Sequence, residues 1–123
     1  GYPYFVAIID EHLVGYSYAS SYRPRPGYRF TVEDSVYVDP RYHRRGIARQ
    51  LLSTVIDTCT ALNFRQMIAV IGDSAQTASI ELHRACGFEM IGTIKNVGFK
   101  FERWLDTVLM QRALGDGART KPT

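Results

Sequence analysis

The chain has 123 residues, 46% of them hydrophobic and 22% charged, which is typical of one compact globular domain rather than a disordered chain. Its 15 Lys and Arg against 12 Asp and Glu give a net charge of +3, too small an excess to indicate a nucleic acid as partner. Its apolar runs are shorter than the roughly 18 residues of a membrane span, and its first residues lack signal-peptide features, so we expect a soluble, cytoplasmic protein without a membrane partner.

Two short strands that form a hairpin open the chain. Tyr4–Ile9 and Val14–Ala19 have the composition of strands, and the polar residues between them indicate a turn. The following segment, residues 20–28, contains two prolines and a glycine, so we expect a surface loop that presents Arg23 and Arg25.

A third strand is predicted at Arg29–Val38, and its side chains alternate between two faces. One face carries Val32, Val36 and Val38, and the other carries Thr31, Glu33, Ser35 and Tyr37. Glu33 is therefore expected to project from the strand on the side away from the valines.

A helix, a strand and a second helix follow. Apolar residues recur at helical spacing from Ile47 to Leu62, which predicts a helix buried on one side. Arg65–Ile71 is a short apolar strand, and the strand–helix–strand order predicts that it runs parallel to the third strand. A shorter helix is predicted at Thr77–Cys86, ended by Gly87.

The last two strands are predicted at Phe88–Ile94 and Phe101–Leu114, with the pair Val97–Gly98 between them. We expect residues 1–114 to form a single domain. Residues 115–123 are polar and are expected to form a flexible C-terminal tail.

The segment from His43 to Ala48, HRRGIA, is predicted to occupy the first turn of the first helix. Free backbone N–H groups and the helix dipole attract an anion there, most naturally a phosphate, and the small Gly46 and Ala48 let its oxygens approach the main chain. GxxxxGK[ST] and GxGxxG are absent from the sequence, which excludes the usual nucleoside-triphosphate and dinucleotide loops. The alternative is that these basic residues form only a solvated face.

The stretch VYVDPRYHRRGIARQLL resembles the acetyl-coenzyme A loop of the GNAT superfamily, written Gln/Arg-x-x-Gly-x-Gly/Ala, which would run from His43 to Ala48. His43 departs from that pattern, whereas Ala48 is an accepted variant. The segments TVEDSVYV, AVIGDSAQTASIELHRACGF and VGFKFERWLDTVLMQ are similar, in the same order, to those of phosphinothricin and methionine sulfone or sulfoximine N-acetyltransferases.

This resemblance implies an α/β (α+β) GNAT fold. Its mixed central sheet would have antiparallel N-terminal strands, parallel strands splayed apart at an acetyl-CoA notch, and flanking helices. Members of the family begin with a strand and two helices ahead of the hairpin at which this chain begins. We therefore expect that this chain lacks an N-terminal segment that helps to wall the substrate cleft.

The resemblance also implies an enzyme that moves acetyl from acetyl-CoA to the α-amino group of a small amino-acid analogue, such as phosphinothricin or methionine sulfoximine or sulfone. Direct attack in a ternary complex and a homodimer are expected. No metal is expected, and Cys59 and Cys86 are interpreted as reduced core residues because they lack metal-ligand spacing. The alternatives are another acceptor amine, on an antibiotic or a protein N-terminus, and a CoA-binding module without turnover.

Most of the expected cofactor-binding residues follow from the resemblance to the acetyl-CoA loop. They are Tyr37, Val38, His43, Arg44, Arg45, Gly46, Ile47, Ala48, Gln76 and His83. A backbone N–H near Tyr37 or Val38 would hold the thioester oxygen. Gln76 stands where relatives commonly have an asparagine that contacts coenzyme A.

Two residues are expected to be catalytic. Glu33 matches the family's glutamate that takes the ammonium proton, often through water, although an exposed strand carboxylate is the alternative. His83 matches a position near the sulfur and would protonate the thiolate or order a water there. The alternative for His83 is a helical histidine bonded to the backbone.

The expected substrate-binding residues lie in three places along the chain. They are Arg23, Arg25, Tyr28, Glu33, Phe99 and Lys100. Guanidinium groups suit an acceptor that carries a carboxylate and a phosphinate. Solvated arginines and ordinary core or interface packing of the aromatic residues near Trp104 are the alternatives.

Overall fold

Six strands and two helices are present in the computed structural model, which describes residues 1–74 and 76–123. They are β1 (Tyr4–Ile9), β2 (His12–Ser21), β3 (Thr31–Val38), α1 (Ile47–Ala61), β4 (Gln66–Ile71), α2 (Thr77–Ala85), β5 (Glu89–Lys100) and β6 (Arg103–Ala113). Single 3₁₀ turns at Pro26–Tyr28 and Pro40–Tyr42 lie on either side of β3. Neither described helix is both long and apolar enough to cross a bilayer.

The strands form one mixed sheet in the order β1-β2-β3-β4-β6-β5. The pairing of β3 with β4 is parallel, and the other neighbouring strands are antiparallel. Helix α1 provides the crossover that two parallel neighbours require. The predicted α+β class and the parallel pair are both confirmed.

The two parallel strands separate before they end. Their ladder runs from Thr31 opposite Gln66 to Asp34 opposite Ala69. Beyond this pair β3 continues to Val38 and β4 continues to Ile71. We call the opening between residues 35–38 of β3 and residues 70–71 of β4 the notch; its closed end is the Asp34–Ala69 pair.

Both helices lie on the face of the sheet that carries Val32. Five side chains of α1 are buried, namely Leu51, Leu52, Val55, Ile56 and Cys59, and all of them except Leu51 belong to the main core cluster. From α2, His83 reaches the buried side chain of Asp34 on the same face of β3. Full burial of an aliphatic side chain such as Leu52 stabilises the fold by about 1.5–3 kcal/mol.

The expected break between the last two strands was wrong. Val97 and Gly98 lie inside β5, and the hairpin turns instead at Phe101 and Glu102, whose φ angles are 54° and 59°. Two successive residues with positive φ form the type I′ geometry that matches the twist of a hairpin. Asn-Gly or Asp-Gly usually signals this turn, so the sequence Phe-Glu gave no indication of it.

The residues that follow β6 contact the start of β4. Arg65 Nη1 donates to the carbonyl oxygen of Gly117 at 2.7 Å, and Arg65 Nη2 donates to that of Lys121 at 3.2 Å. Leu114 is fully buried. The division into a domain of residues 1–114 and a flexible tail stays a prediction.

Candidate active site

A hydrogen-bonded turn ends β3 and leads into residues 41–46, which we call the basic loop. Asp39 Oδ1 accepts a hydrogen bond from the backbone N–H of Arg41 at 2.9 Å, and its Oδ2 accepts from Arg41 Nη2 at 2.8 Å. The side-chain hydrogen bond from Arg41, followed by the backbone one, lowers the pKa of Asp39 to about 2. The chain is therefore held at the point where it leaves the sheet.

Helix α1 begins at Ile47, after a residue in the left-handed conformation. Gly46 has φ of 77° and Arg44 has φ of 65°, neither of which fits inside a right-handed helix. The expectation that His43–Arg45 occupy the first helical turn was therefore wrong, because these residues form the preceding loop. The first intrahelical bond runs from Gln50 N to Gly46 O, so the N–H groups of residues 47–49 precede it.

His43 closes the loop onto the end of β3. Its Nε2 lies 2.9 Å from the carbonyl oxygen of Val38, and since a carbonyl only accepts, Nε2 carries the proton. The backbone of Asp39 bonds to Val14 of β2, so by strand alternation the polar backbone groups of Val38 face the notch. Histidine thus acts as a hydrogen-bond donor at the first position of the loop motif.

A cavity of about 710 Å³ lies where the end of β3, the basic loop and the first turns of both helices meet. We call it the helix-end cavity. The predicted cofactor-binding residues that line it are Tyr37, Val38, His43, Arg44, Gly46, Ile47, Ala48 and Gln76. Eight of the ten residues that the sequence predicted to bind the cofactor therefore line the same cavity.

The same cavity is lined by residues that were not predicted. They are Val36, Pro40, Tyr42, Arg49, Thr77, Ala78, Ser79 and Leu82. Both helices follow parallel neighbouring strands, so their N-termini lie at one edge of the sheet. The predicted order of strands and helices therefore already placed residues 77–79 near the start of α1.

Arg45 and His83 are the two predicted cofactor residues that the structure places elsewhere than in the lining of this cavity. The Arg45 guanidinium lies over the ring of Tyr42, 5.1 Å from its centroid. Such a cation–π contact holds the aromatic residue against the loop. Arg45 therefore supports a lining residue.

His83 is buried, with 4% of its surface exposed, and both of its ring nitrogens have partners. Nδ1 lies 2.8 Å from the carbonyl oxygen of Ser79, and Nε2 lies 2.8 Å from Oδ2 of Asp34. Burial lowers the pKa of His83, but the hydrogen bond and charge of Asp34 outweigh it, so the pKa is raised. A role as direct proton donor to a thiolate does not fit, because the ring would have to give up a buried hydrogen bond.

Asp34 is a buried carboxylate that the sequence interpretation missed. It is 6% exposed, and its Oδ1 has no hydrogen-bond partner among the described residues. Its position in the alternation places it on the same face as Val32 and Val38. A carboxylate on an apolar strand face was the signal that could have identified it.

Glu33 lies on the opposite face of β3 and is half-buried. Its neighbours across the sheet are Ser20 on β2 and Ile68 on β4. Burial, and then the negative charge of Asp34, raises the pKa of the Glu33 carboxyl. The predicted orientation, away from Val32, agrees with this burial pattern, and a raised pKa suits a general base near neutral pH.

An aromatic pair holds one of the predicted substrate residues. The Arg23 guanidinium lies 5.2 Å from the ring centroid of Tyr22 and 5.8 Å from that of Tyr28. The loop that carries them starts after Ser21, which pairs with Val32, the residue before Glu33. Arg25 lies in the same loop, and its carbonyl accepts from the N–H of Tyr28 at 2.9 Å.

Phe99 and Lys100 lie near the tip of the β5–β6 hairpin. Phe99 packs edge-on against Trp104 at 5.0 Å, and the Lys100 ammonium lies 5.2 Å from the ring centroid of Phe101. In the sheet order, β4 and β6 separate β5 from β3. Within one chain these two residues therefore contact the hairpin's own side chains, and two strands separate them from the strand of Glu33.

The sequence of this chain is similar to those of known acetyltransferases. The profile described as the acetyltransferase (GNAT) family matches residues 1–88. The chain is 56% identical to the phosphinothricin N-acetyltransferase of Alcaligenes faecalis over 122 residues, which are 99% of this chain and 62% of that protein. It is 40% identical to the L-methionine sulfoximine/L-methionine sulfone acetyltransferase of Salmonella typhimurium, over 96% of this chain and 68% of that protein.

A solved structure has nearly the same fold. The crystal structure of a GNAT superfamily phosphinothricin acetyltransferase from Sinorhizobium meliloti, in complex with AcCoA, superposes with a TM-score of 0.95 at 56% identity. The match covers 99% of this chain and 66% of that one. This chain thus spans less than two thirds of the length of both phosphinothricin acetyltransferases. The profile match and these identities show that the chain belongs to the acetyltransferase (GNAT) family.

Proposed function

We propose that this protein transfers the acetyl group of acetyl-CoA to the α-amino group of a small amino-acid analogue of the phosphinothricin or methionine sulfoximine and sulfone type. One observation carries the proposal: the notch and the N-terminus of α1 border the same helix-end cavity. A diphosphate and an extended thioester arm need these two features side by side. The AcCoA bound in the Sinorhizobium meliloti relative supports this ligand.

The backbone N–H groups of residues 47–49 would bind the diphosphate. They precede the first intrahelical bond of α1, and Arg44 and Arg49 add positive charge to the cavity lining. The pantetheine amides would pair with the backbone of Val36 and Val38, which by strand alternation face the notch. The N–H of Val38, rather than that of Tyr37, is then the one available to the thioester oxygen.

Glu33 would take a proton from the acceptor ammonium, directly or through water. The neutral amine then attacks the thioester carbonyl carbon, the C–S bond breaks, and the thiolate leaves. The second amine proton, released as the amide forms, neutralises the thiolate, so the products are the N-acetylated acceptor and the free thiol of coenzyme A. The raised pKa of Glu33 favours this proton transfer near neutral pH.

The loop with Arg23 and Arg25 would bind the acidic groups of the acceptor. Tyr22 and Tyr28 hold the Arg23 guanidinium in one place, so less conformational freedom is lost when it binds an oxyanion. A guanidinium matches a carboxylate or phosphinate in a two-point contact. This arrangement favours an anionic amino acid over a cationic antibiotic as acceptor.

The edge strand β5 and its hairpin would form a homodimer interface. Several of their apolar side chains are exposed, namely Ile94, Val97, Phe99, Phe101 and Trp104. A second chain on this edge would cover them and would surround Phe99 and Lys100. We also propose that the protein works in the cytoplasm, where acetyl-CoA is made and where Cys59 and Cys86 stay reduced.

Release of free thiol from acetyl-CoA tests the proposed function. Phosphinothricin and methionine sulfoximine are expected to support it, whereas a cationic aminoglycoside and a peptide with a free N-terminus are expected to give only background. Thiol release with the aminoglycoside or the peptide alone would contradict the proposed substrate class and identify a different acceptor amine. Binding of acetyl-CoA without thiol release from any acceptor would indicate a CoA-binding module instead.

A further inference from the structure

A buried polar pair lies at the closed end of the notch. Asp34 is the last residue of β3 that pairs with β4, so the strands separate at its position. On its helix side, Oδ2 of Asp34 lies 2.8 Å from Nε2 of His83. The two side chains are 1% and 5% exposed, respectively.

The protons of this pair are fixed by its partners. The carbonyl of Ser79 can only accept, so Nδ1 of His83 carries a proton. The contact between Nε2 and Oδ2 holds one more proton, so the pair is neutral as a whole. Breaking such a buried contact leaves a polar group without a partner, which makes the pair a strong link between α2 and β3.

The link bears on the helix-end cavity through α2. Thr77, Ala78 and Ser79 of α2 line the cavity, and Ser79 is one turn before His83 and bonded to it. Besides His83, its one buried residue, α2 packs the partly buried Ile80 and Leu82 against the core. The contact between His83 and Asp34 is the buried polar link in this packing, and it fixes α2 to β3 at the residue where the notch begins.

We propose that Asp34 and His83 are a positioning pair, which holds α2 at the closed end of the notch and so sets how acetyl-CoA lies relative to Glu33. This inference rests on the proposed function. Asp34 would act through helix α2, and His83 would act through Ser79 and its neighbours. Neither side chain would touch the reacting atoms.

Three variants separate this role from direct proton transfer. Asp34→Leu removes the acceptor and is expected to weaken acetyl-CoA binding in calorimetry by roughly tenfold, the effect of one lost buried hydrogen bond. Asp34→Asn can donate an amide N–H to Nε2 of a neutral His83, whose Nδ1 proton stays bonded to Ser79, so acetyl-CoA binding is expected to stay within about twofold of the unmodified protein. The double variant Asp34→Asn/His83→Gln keeps an amide-to-amide link without a titratable group, and we expect its kcat to stay within about threefold of the unmodified value.

Arg84→Ala is the matched control on the same helix, because Arg84 pairs only with exposed Glu81 in the described structure. It is expected to change neither binding nor kcat. A kcat loss in the double variant with unchanged acetyl-CoA binding would mean that the imidazole itself transfers a proton. Unchanged binding and kcat in Asp34→Leu would also overturn the inference. If that variant does not fold, the same two measurements on His83→Leu, which removes the other partner of the contact, decide.

Calorimetric titration of the unmodified protein with acetyl-CoA distinguishes failure of the proposed function from failure of the positioning role. If the unmodified protein binds no acetyl-CoA, the proposed function fails. If it binds acetyl-CoA and Asp34→Leu behaves like Arg84→Ala, only the positioning role fails.

Discussion

Two consecutive carboxylates on β3 have opposite surroundings. Side chains alternate along a strand, so Glu33 lies on one face and Asp34 lies among the core residues of the other. The pKa of Glu33 is raised mainly by burial and then by the charge of Asp34. The neighbour that supports the proposed base therefore belongs to the positioning pair.

Glu33→Gln tests the proposed base. We expect kcat to fall by about a hundredfold or more, the usual contribution of a positioned base. Acetyl-CoA binding should stay unchanged in calorimetry. In the unmodified enzyme kcat/KM should rise with pH through the raised pKa of Glu33, above the ordinary value of 4.5. A variant that keeps full activity would exclude Glu33 as the base.

The Asp34–His83 pair predicts a pH dependence of stability. The pKa of His83 is raised in the folded state, so its stabilising contribution is complete below the ordinary value of 6.5 and is lost as pH rises through the folded value. The melting temperature should therefore fall over this range. The same fall should be absent from Asp34→Asn/His83→Gln, and parallel pH profiles for the two proteins would contradict the pair's charge state.

The sequence predicted Glu33 but not Asp34, for a physical reason. Alternation with Val32 and Val38 indicates where Glu33 points. The same alternation puts Asp34 in the core, where a carboxylate requires a partner. That partner, His83, is 49 residues away in the chain, and local patterns carry no information about such a distance.

The elements were predicted best where their apolar pattern is long. Helix α1 follows from its stripe of buried residues, but its start depends on the φ angle of Gly46, which a helical pattern does not show. The β5–β6 turn was missed because Phe101 and Glu102 carry no turn signal. Element boundaries set by backbone conformation are therefore the part that the sequence predicts least.

Gly46→Ala tests the start of α1. A side chain at φ of 77° costs about 1–2 kcal/mol, so the loop should rearrange and acetyl-CoA affinity should fall by roughly tenfold in calorimetry. Gly92→Ala is the matched control, because a Cβ there meets no atom within 4 Å and lies in β5, away from the cavity. Equal affinities for both variants would show that the conformation of Gly46 is not needed for binding.

At the scale of the whole molecule, one face of the sheet is covered and one of its edges is exposed. Helices α1 and α2 cover the face of Val32, and the edge strand β5 exposes much of its length. The parallel crossover was predictable, because a helix between two strands leaves few other topologies. That β5 lies at an edge depended on the insertion of β6 between β4 and β5, which the sequence did not indicate.

Phe101→Glu tests the proposed dimer edge. Phe101 is 79% exposed at the hairpin tip, and a charge there should dissociate the dimer in sedimentation velocity without lowering the melting temperature of the single chain. Leu62→Glu is the control, since Leu62 is 51% exposed at the C-terminal end of α1. A Phe101→Glu protein that sediments like the unmodified one would exclude this edge.

The central claim is that free main-chain N–H groups at the start of α1 bind the diphosphate of acetyl-CoA. An amide NMR titration of the ¹⁵N-labelled protein with acetyl-CoA tests this claim most directly. We expect the largest shifts at residues 46–49, with a second group at residues 36–38 beside the notch. Shifts confined to the separate polar cleft near Gln66 and Arg112, or no shifts at saturating ligand, would contradict the account.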